Sequence, residues 1–253
     1  MTNKPVALVT GARRGIGYAI ASKLAADGFD LYLADIGADD GAADRLRAHG
    51  GRVTYLQGDI SDIAVHEAWV AAIREGSARV DCLVNNAGMG AVSRGDVMDL
   101  QPENFDRVLA VNLRGTAFLT LAVLRLMLAQ PPGAIPRSVI NIGSVSATHV
   151  STDRLDYCVS KAALAMWSKG LAVRFAKDGV SVFEVRPGIV RSDMTAPVTA
   201  KYDRLIAEGL VPAGRWGEGE DVAMVVASLA SGAFAYATGS VIDVGGGLSI
   251  SRF

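Results

Sequence analysis

The 253-residue sequence holds only two cysteines, Cys82 and Cys158, and only three histidines. Two cysteines cannot build a disulfide framework, and no Cys/His cluster has the spacing of a zinc site, so reduced thiols and no metal are expected. An excess of one charge is missing too: 25 Lys and Arg stand against 26 Asp and Glu, a formal net charge of −1. Without a concentrated positive field, neither a nucleic-acid groove nor an anionic-membrane patch is expected, and the partner is predicted to be a small molecule. Long apolar runs are also lacking. The stretch Phe118 to Leu128 is broken by Arg125 and is not expected to span a bilayer. Val6 to Thr10 is too short for a signal-peptide core, and the cations Arg13 and Arg14 lie on its far side. A cytoplasmic location is the expectation.

What is present is apolar residues, 50% of the chain, which exclude disorder and suit one large α/β domain. Short apolar runs recur at Val6 to Thr10, Asp30 to Ala34, Val53 to Gln57, Cys82 to Asn85, Ser138 to Ile142, Val180 to Val185 and Ser240 to Val244. Between them lies helical periodicity, as in Ile16, Ile20 and Leu24, or Phe105, Leu109, Leu113 and Phe118 in a longer helix. Strands that alternate with helices predict parallel neighbours joined by right-handed crossovers. The expected fold is therefore a single-domain, doubly wound, seven-stranded parallel sheet with helices on both faces, spanning residues 1–253. The regular beat fails once, over about 188–217, where some thirty residues separate the last two strands and hold a short helix near Ala200 to Glu208. An excursion of this length in a compact domain reads as a substrate lid.

The first strand runs into Thr10-Gly11-Ala12-Arg13-Arg14-Gly15-Ile16-Gly17 and then a helix. Glycines there let the backbone turn sharply and approach a pyrophosphate, whose charge the free N–H groups of the helix start can meet. Gly11, Arg14, Gly15, Ile16 and Gly17 are the candidate phosphate contacts. Asp35 ends the second strand eighteen residues past Gly17, where a dinucleotide fold places the acid that binds the adenosine ribose. A carboxylate there repels a 2′-phosphate, and Ile36 and Gly37 bring no cation beside it, so NAD is expected over NADP. Arg13 and Arg14 could offset that in part, because a guanidinium takes phosphate readily.

Further along stand Asn85-Asn86-Ala87-Gly88 after the fourth strand, Asn112, Ser144, Tyr157-Cys158-Val159-Ser160-Lys161, and Pro187-Gly188 after the sixth strand. With the glycine loop, over nearly the whole chain, these segments resemble the short-chain dehydrogenase/reductase family, and most closely members known as 3-oxoacyl-[acyl-carrier-protein] reductases. The resemblance implies Tyr157 as acid/base, Ser144 as holder of the substrate oxygen, Lys161 as ribose ligand and Asn112 as support of a water and proton relay. It also implies cofactor contacts from Asp59 and Ile60 at the adenine, from Asn86, and from Pro187, Val190 and Ser192 at the carboxamide. A homotetramer is implied as well.

The chemistry agrees with those assignments. Hydride transfer from a secondary alcohol requires a proton to leave the hydroxyl, and an unassisted Tyr, with an ordinary pKa of about 10, is a poor base at neutral pH. Tyr157 and Lys161 at i and i+4 share a helix face, so the ammonium can favour the phenolate. Ser146 is the rival to Ser144, with pocket lining or loop capping as its other role. For Asp59 the alternative is the helix N-cap, shared with Ser61 or Asp62. Met89, Ser146, His149 and Met194 are the expected substrate contacts, with an exposed loop position the alternative for His149. Cys158 is read as a small buried packing residue and Asn85 as a brace between strands.

The expected activity is NAD(H)-dependent interconversion of a secondary alcohol and a ketone, with a polyol, sugar or similar secondary alcohol as substrate. An NADP(H)-dependent 3-oxoacyl-[acyl-carrier-protein] reductase is the alternative. A dinucleotide-binding regulator without turnover is a third reading, against which Ser144, Tyr157 and Lys161 speak.

Overall fold

The computed structural model describes residues 4–252. Its strands are β1 (Val6–Thr10), β2 (Asp30–Asp35), β3 (Val53–Gln57), β4 (Cys82–Asn85), β5 (Arg137–Ile142), β6 (Val180–Pro187) and β7 (Val241–Val244). All seven pair in parallel in the order β3-β2-β1-β4-β5-β6-β7. The helices are α1 (Gly15–Ala26), α2 (Ala42–Arg47), α3 (Ile63–Gly76), α4 (Pro102–Leu109), α5 (Thr116–Ala129), α6 (Leu155–Phe175), α7 (Thr199–Ala207) and α8 (Gly219–Ala230).

Strands buried on both faces read as continuous apolar runs rather than as alternation, and their alternate residues serve two separate cores. In β1, Ala7 and Val9 face a core built with Ile20 and Leu24 of α1 and Val222, Val226 and Leu229 of α8. Val6 and Leu8 face the other core, with Trp69 and Ile73 of α3, Leu119, Val123 and Met127 of α5, and Leu171 and Phe175 of α6. This is the doubly wound sheet the sequence pattern predicts.

Two features depart from the sequence reading. The long helix over residues 102–129 is not one regular helix: Ala110–Gly115 winds as a π-helix between α4 and α5. That run is also long enough to cross a bilayer, and its most apolar window has a mean hydropathy of 1.4. Half of that window is buried, and the buried side chains, Leu119, Val123, Leu124 and Met127 among them, belong to the sheet core.

The excursion after β6 closes at its neck. Val190 pairs with Gly217 in an isolated parallel bridge, Arg191 N donates to Gly217 O (2.9 Å), and Gly217 N donates to Ile189 O (2.9 Å). Between these anchors the segment carries α7 and a small core of its own, formed by Ile206, Val211 and Trp216 with Ile189, Tyr202 and Leu248.

Candidate active site

The order of the strands reverses direction between β1 and β4, and ligands of such sheets bind at the carboxyl edge beside that switch. A cleft of about 480 Å³ opens there, walled by the glycine loop, the segments after β4, β5 and β6, and the start of α6. Thr10 ties two of these walls together. Its hydroxyl accepts from Asn86 N (3.0 Å) and Ala87 N (2.9 Å), while Asn86 Nδ2 donates back to Thr10 O and Gly11 O, each at 3.0 Å. Bare backbone is required at this crossing: a Cβ on Gly17 would lie 2.0 Å from Gly11 O. Gly15 holds φ +57°, a conformation that favours glycine, and a Cβ there would meet nothing within 4 Å, because the residue borders open space. No side chain caps the amino end of α1. Uncapped N–H groups above an open, glycine-lined hollow suit a pyrophosphate.

At the far end of β2, Asp35 is held in place by main chain. Its Oδ2 accepts from Arg13 N (3.1 Å) and its Oδ1 from Gly37 N (3.0 Å). The Arg13 guanidinium lies against the same carboxylate, with Nε 3.6 Å from Asp35 Oδ1, and pairs with Asp40 at 3.1 Å. Gly37 makes room for it, since a Cβ there would come within 2.6 Å of Arg13 Nε. Beside them, burial and the Asp35 charge push the Tyr55 hydroxyl up to about 12, and that hydroxyl donates to Gly37 O.

At the opposite end, β5 and α6 deliver the reactive side chains. Ser144, Tyr157 and Lys161 are all buried and all line the cleft. Lys161 Nζ lies 5.8 Å from the centre of the Tyr157 ring and donates to Ile142 O (3.0 Å), so the last carbonyl of β5 fixes the ammonium beside the phenol. Ser144 Oγ accepts from Ser146 N (3.0 Å), so Ser144 takes the loop-capping role that the sequence reading offered to Ser146, and both serines line the cleft. Asn112 stands in the π-helical stretch, a kind of local widening found often at functional sites. Its amide grips the chain at Met89, accepting from Met89 N (2.8 Å) and donating to Met89 O (2.9 Å) and Ser160 Oγ (3.0 Å). A Cβ on Gly88 would lie 3.2 Å from Asn112 Oδ1 and 3.6 Å from Lys161 Nζ, so both groups end beside the same bare backbone.

Comparison with known proteins accords with this arrangement. A family profile described as enoyl-(acyl carrier protein) reductase matches residues 11–249. The chain belongs to the short-chain dehydrogenase/reductase family. It is 37% identical to the 3-oxoacyl-[acyl-carrier-protein] reductase of Escherichia coli over 96% of each chain. A crystal structure of a 3-oxoacyl-[acyl-carrier protein] reductase from Brucella melitensis in complex with NAD is 53% identical, covers 100% of both chains and superimposes with a TM-score of 0.98. A putative 2-deoxy-D-gluconate 3-dehydrogenase from Agrobacterium tumefaciens with bound NADP is 32% identical over 96% of each chain, with a TM-score of 0.86. The protein is thus an oxidoreductase acting on carbonyl or hydroxyl groups, with a nicotinamide dinucleotide and a small-molecule substrate.

The short-chain dehydrogenase/reductase cleft gathers Arg14, Gly15, Ile16, Gly17, Asn86, Ser144, Tyr157, Lys161, Pro187, Val190 and Ser192 from the residues marked in the sequence. Gly11, Asp35, Asp59, Ile60 and Asn112 stand outside its lining. Ile60 buries its side chain in the α3/α5 core, leaving only its backbone for a ligand. The N-cap alternative for Asp59 fails, because Asp62 caps α3 by accepting from Ala64 N. Burial raises the Asp59 carboxyl, but the Ser61 hydroxyl and N–H and the Arg107 guanidinium outweigh it and hold the group below its ordinary value. Asn85 bridges β4 to β5 through Asn141 (2.7 Å) and reaches Thr120 (2.8 Å), as its bracing reading requires. Cys158 is buried, as expected. The four substrate candidates Met89, Ser146, His149 and Met194 all border the cleft, and His149 is also exposed.

Sequence reasoning missed four contributors. Thr195 accepts from Ser192 N (3.0 Å) and donates to Val190 O (2.9 Å), shaping the loop that faces the cleft. Asp193 pairs with Arg14 at 2.6 Å and so joins the glycine loop to the excursion after β6. Arg94 and Arg154 bring two cations to the substrate end. Asp193, directly after the marked Ser192, had a visible signal in its position; nothing local marked Arg94.

Proposed function

We propose that this protein interconverts 3-oxoacyl and 3-hydroxyacyl compounds with NAD(H) as the preferred dinucleotide. The observation that carries the reading is the convergence of Ser144, Tyr157 and Lys161 on the cleft that the glycine loop borders. When bound, the dinucleotide gives a hydride to the carbonyl carbon or takes one from the carbinol carbon. Tyr157 Oη gives or takes the matching proton at the substrate oxygen. The ammonium of Lys161, anchored on Ile142 O, attracts the tyrosinate left behind and stands where a nicotinamide ribose is expected. Ser144 Oγ already accepts from Ser146 N, so its own hydrogen is free to donate to the substrate oxygen as charge develops there. Asn112, through its grip on Met89 and Ser160, positions the floor beneath Lys161 and is placed to support a proton relay.

For the substrate, relatives named 3-oxoacyl-[acyl-carrier-protein] reductases support a 3-oxoacyl group over the polyol or sugar expected from the sequence. For the cofactor, Asp35 supports NAD: its carboxylate is fixed by two main-chain donors at the ribose end, and Arg13 is already engaged by Asp35 and Asp40. The neighbour solved with NAD agrees. The 188–217 segment, tied at its neck and linked to the glycine loop by Arg14 and Asp193, is read as the substrate lid, and the assembly as a cytoplasmic homotetramer. The test is nicotinamide absorbance during turnover of 3-oxoacyl thioesters, polyols and sugars with both dinucleotides. NADH oxidation by the 3-oxoacyl compounds is expected to dominate. Turnover confined to polyols or sugars overturns the substrate assignment, and a strong NADPH preference overturns the reading of Asp35.

A further inference from the structure

The cleft wall carries more positive than negative charge. Among the described lining residues stand four cations, Arg14, Arg94, Arg154 and Lys161, and one acid, Asp193. Arg14 is paired with that acid, and Lys161 is anchored on Ile142 O. Arg94 has a partner behind the wall, Asp153, at 3.5 Å. Arg154 has none: among the described residues it forms no ion pair, and its Nε is buried without a hydrogen-bond partner. The acids nearest to it in the chain form no ion pair with it. Asp153 accepts from Ser151 Oγ (2.5 Å) and faces Arg94, while Asp156 is buried at the start of α6, its Oδ1 accepting from Tyr157 N (2.7 Å) and its Oδ2 without a hydrogen-bond partner among the described residues. An unmatched guanidinium in a partly desolvated wall is costly unless something negative meets it, and a guanidinium stays charged at any working pH.

We infer that Arg154 binds a free carboxylate on the substrate, so that the natural substrate is a short 3-oxo or 3-hydroxy acid rather than a carrier-bound thioester. This rests on the 3-oxoacyl reading above and specifies its carboxyl group. Distance selects the ligand. The Arg154 guanidinium lies 5.2 Å from the centre of the Tyr157 ring, whose hydroxyl meets the reacting oxygen. Whatever anion it holds is therefore only a few bonds from the reacting carbon. The carboxylate of a 3-oxo acid satisfies that, and a planar carboxylate accepts two parallel N–H bonds from a guanidinium. The phosphate of a pantetheine arm sits at the far end of a long chain, and the thioester group itself is neutral. The Arg154 guanidinium over the Tyr157 ring also orients that ring by cation–π attraction, so one side chain fixes both the acid/base and the substrate charge. The reaction balances simply. One hydride reaches the carbonyl carbon and one proton the carbonyl oxygen, converting the 3-oxo acid and reduced dinucleotide into the 3-hydroxy acid and oxidised dinucleotide, with the carboxylate unchanged.

The test compares acetoacetate with its neutral N-acetylcysteamine thioester, using NADH and the purified full chain. The wild-type enzyme is expected to prefer the acid, and Arg154→Gln to lower the acid-to-thioester ratio of kcat/KM by about 10- to 100-fold, mostly through KM for the acid. Arg154→Lys, which keeps the charge but not the planar fork, is expected to restore part of that ratio. A wild-type preference for the thioester, or an equal loss on both compounds in Arg154→Gln, overturns the inference and leaves the 3-oxoacyl reading standing. Turnover of neither compound overturns both. The wild-type comparison decides the matter even if a variant fails to fold.

Discussion

At the scale of single residues, the site depends on side chains whose hydrogen-bonding capacity is partly filled by the protein, so that only one direction remains for the ligand. Ser144 accepts from Ser146 N and has its hydroxyl hydrogen to give. Ser144→Ala is expected to lower kcat by about 10²- to 10³-fold, as removal of an oxyanion donor does, with cofactor affinity little changed. Steady-state kinetics with a parallel binding titration checks this. Asp35 has both oxygens engaged by main-chain donors and repels a third, anionic partner. Asp35→Ser is expected to move the ratio of NADH to NADPH efficiency by about tenfold or more toward NADPH, with Arg13 then free of one of its two carboxylates. These residues were legible in the sequence because each sits within a short local pattern: Asp35 at a strand end, Tyr157 four residues before Lys161. Arg154 lies equally close to Tyr157, but its meaning depends on what does not pair with it. Arg94 was invisible for a plainer reason: only the fold brings its loop to the wall that Arg154 shares.

At the scale of elements, the interruptions matter most. The π-helical turns at Ala110–Gly115 place Asn112 against Met89, and Gly115 closes them onto the loop after β3: a Cβ there would lie 2.3 Å from Ile60 O. Gly115→Ala is accordingly expected to destabilise the fold by about 1 to 3 kcal/mol, read from urea unfolding. A period of 3.6 fits apolar positions on both sides of the stretch, which is why the sequence pattern shows one long helix and hides the extra residue per turn. The junction of the excursion with α8 gives a pH prediction. Asp221 takes a bidentate pair from Arg215 (2.7 and 2.8 Å) and closes the capping box by accepting from Glu218 N. The Arg215 guanidinium first, then that N–H, draw the Asp221 carboxyl down to about 2. A carboxyl depressed in the folded state stabilises it above the ordinary value near 4 and loses that contribution as pH falls toward 2. Thermal unfolding of Asp221→Asn should therefore show a lower Tm than wild type at pH 7 and a difference that shrinks between about pH 4 and 2. An undiminished gap at pH 2 contradicts the assignment.

At the scale of the whole molecule, the parallel sheet and its two helical faces follow from alternation of apolar runs with helices, and that much the sequence displays openly, whereas the strand order β3-β2-β1-β4-β5-β6-β7 is seen only in the fold. Surfaces are less legible. Phe118 on α5, Met166 and Val173 on α6, and Met224 on α8 are exposed apolar side chains on the outer helices, and a tetramer is expected to cover such faces. Sedimentation at micromolar concentration should give four times the 26.4 kDa chain mass, and a monomer contradicts the assembly. The fold as a whole, however, serves one event: β5 ends at the carbonyl that anchors Lys161, α6 carries Lys161 and Tyr157 on one face, and the glycine loop lies across the same cleft. The most direct measurement is turnover by Tyr157→Phe, paired with NADH binding followed by fluorescence titration. A fall in kcat of about 10²- to 10⁴-fold is predicted, the usual contribution of a positioned acid/base, with the NADH dissociation constant within about threefold of wild type. Wild-type turnover in that variant would contradict the account at its centre.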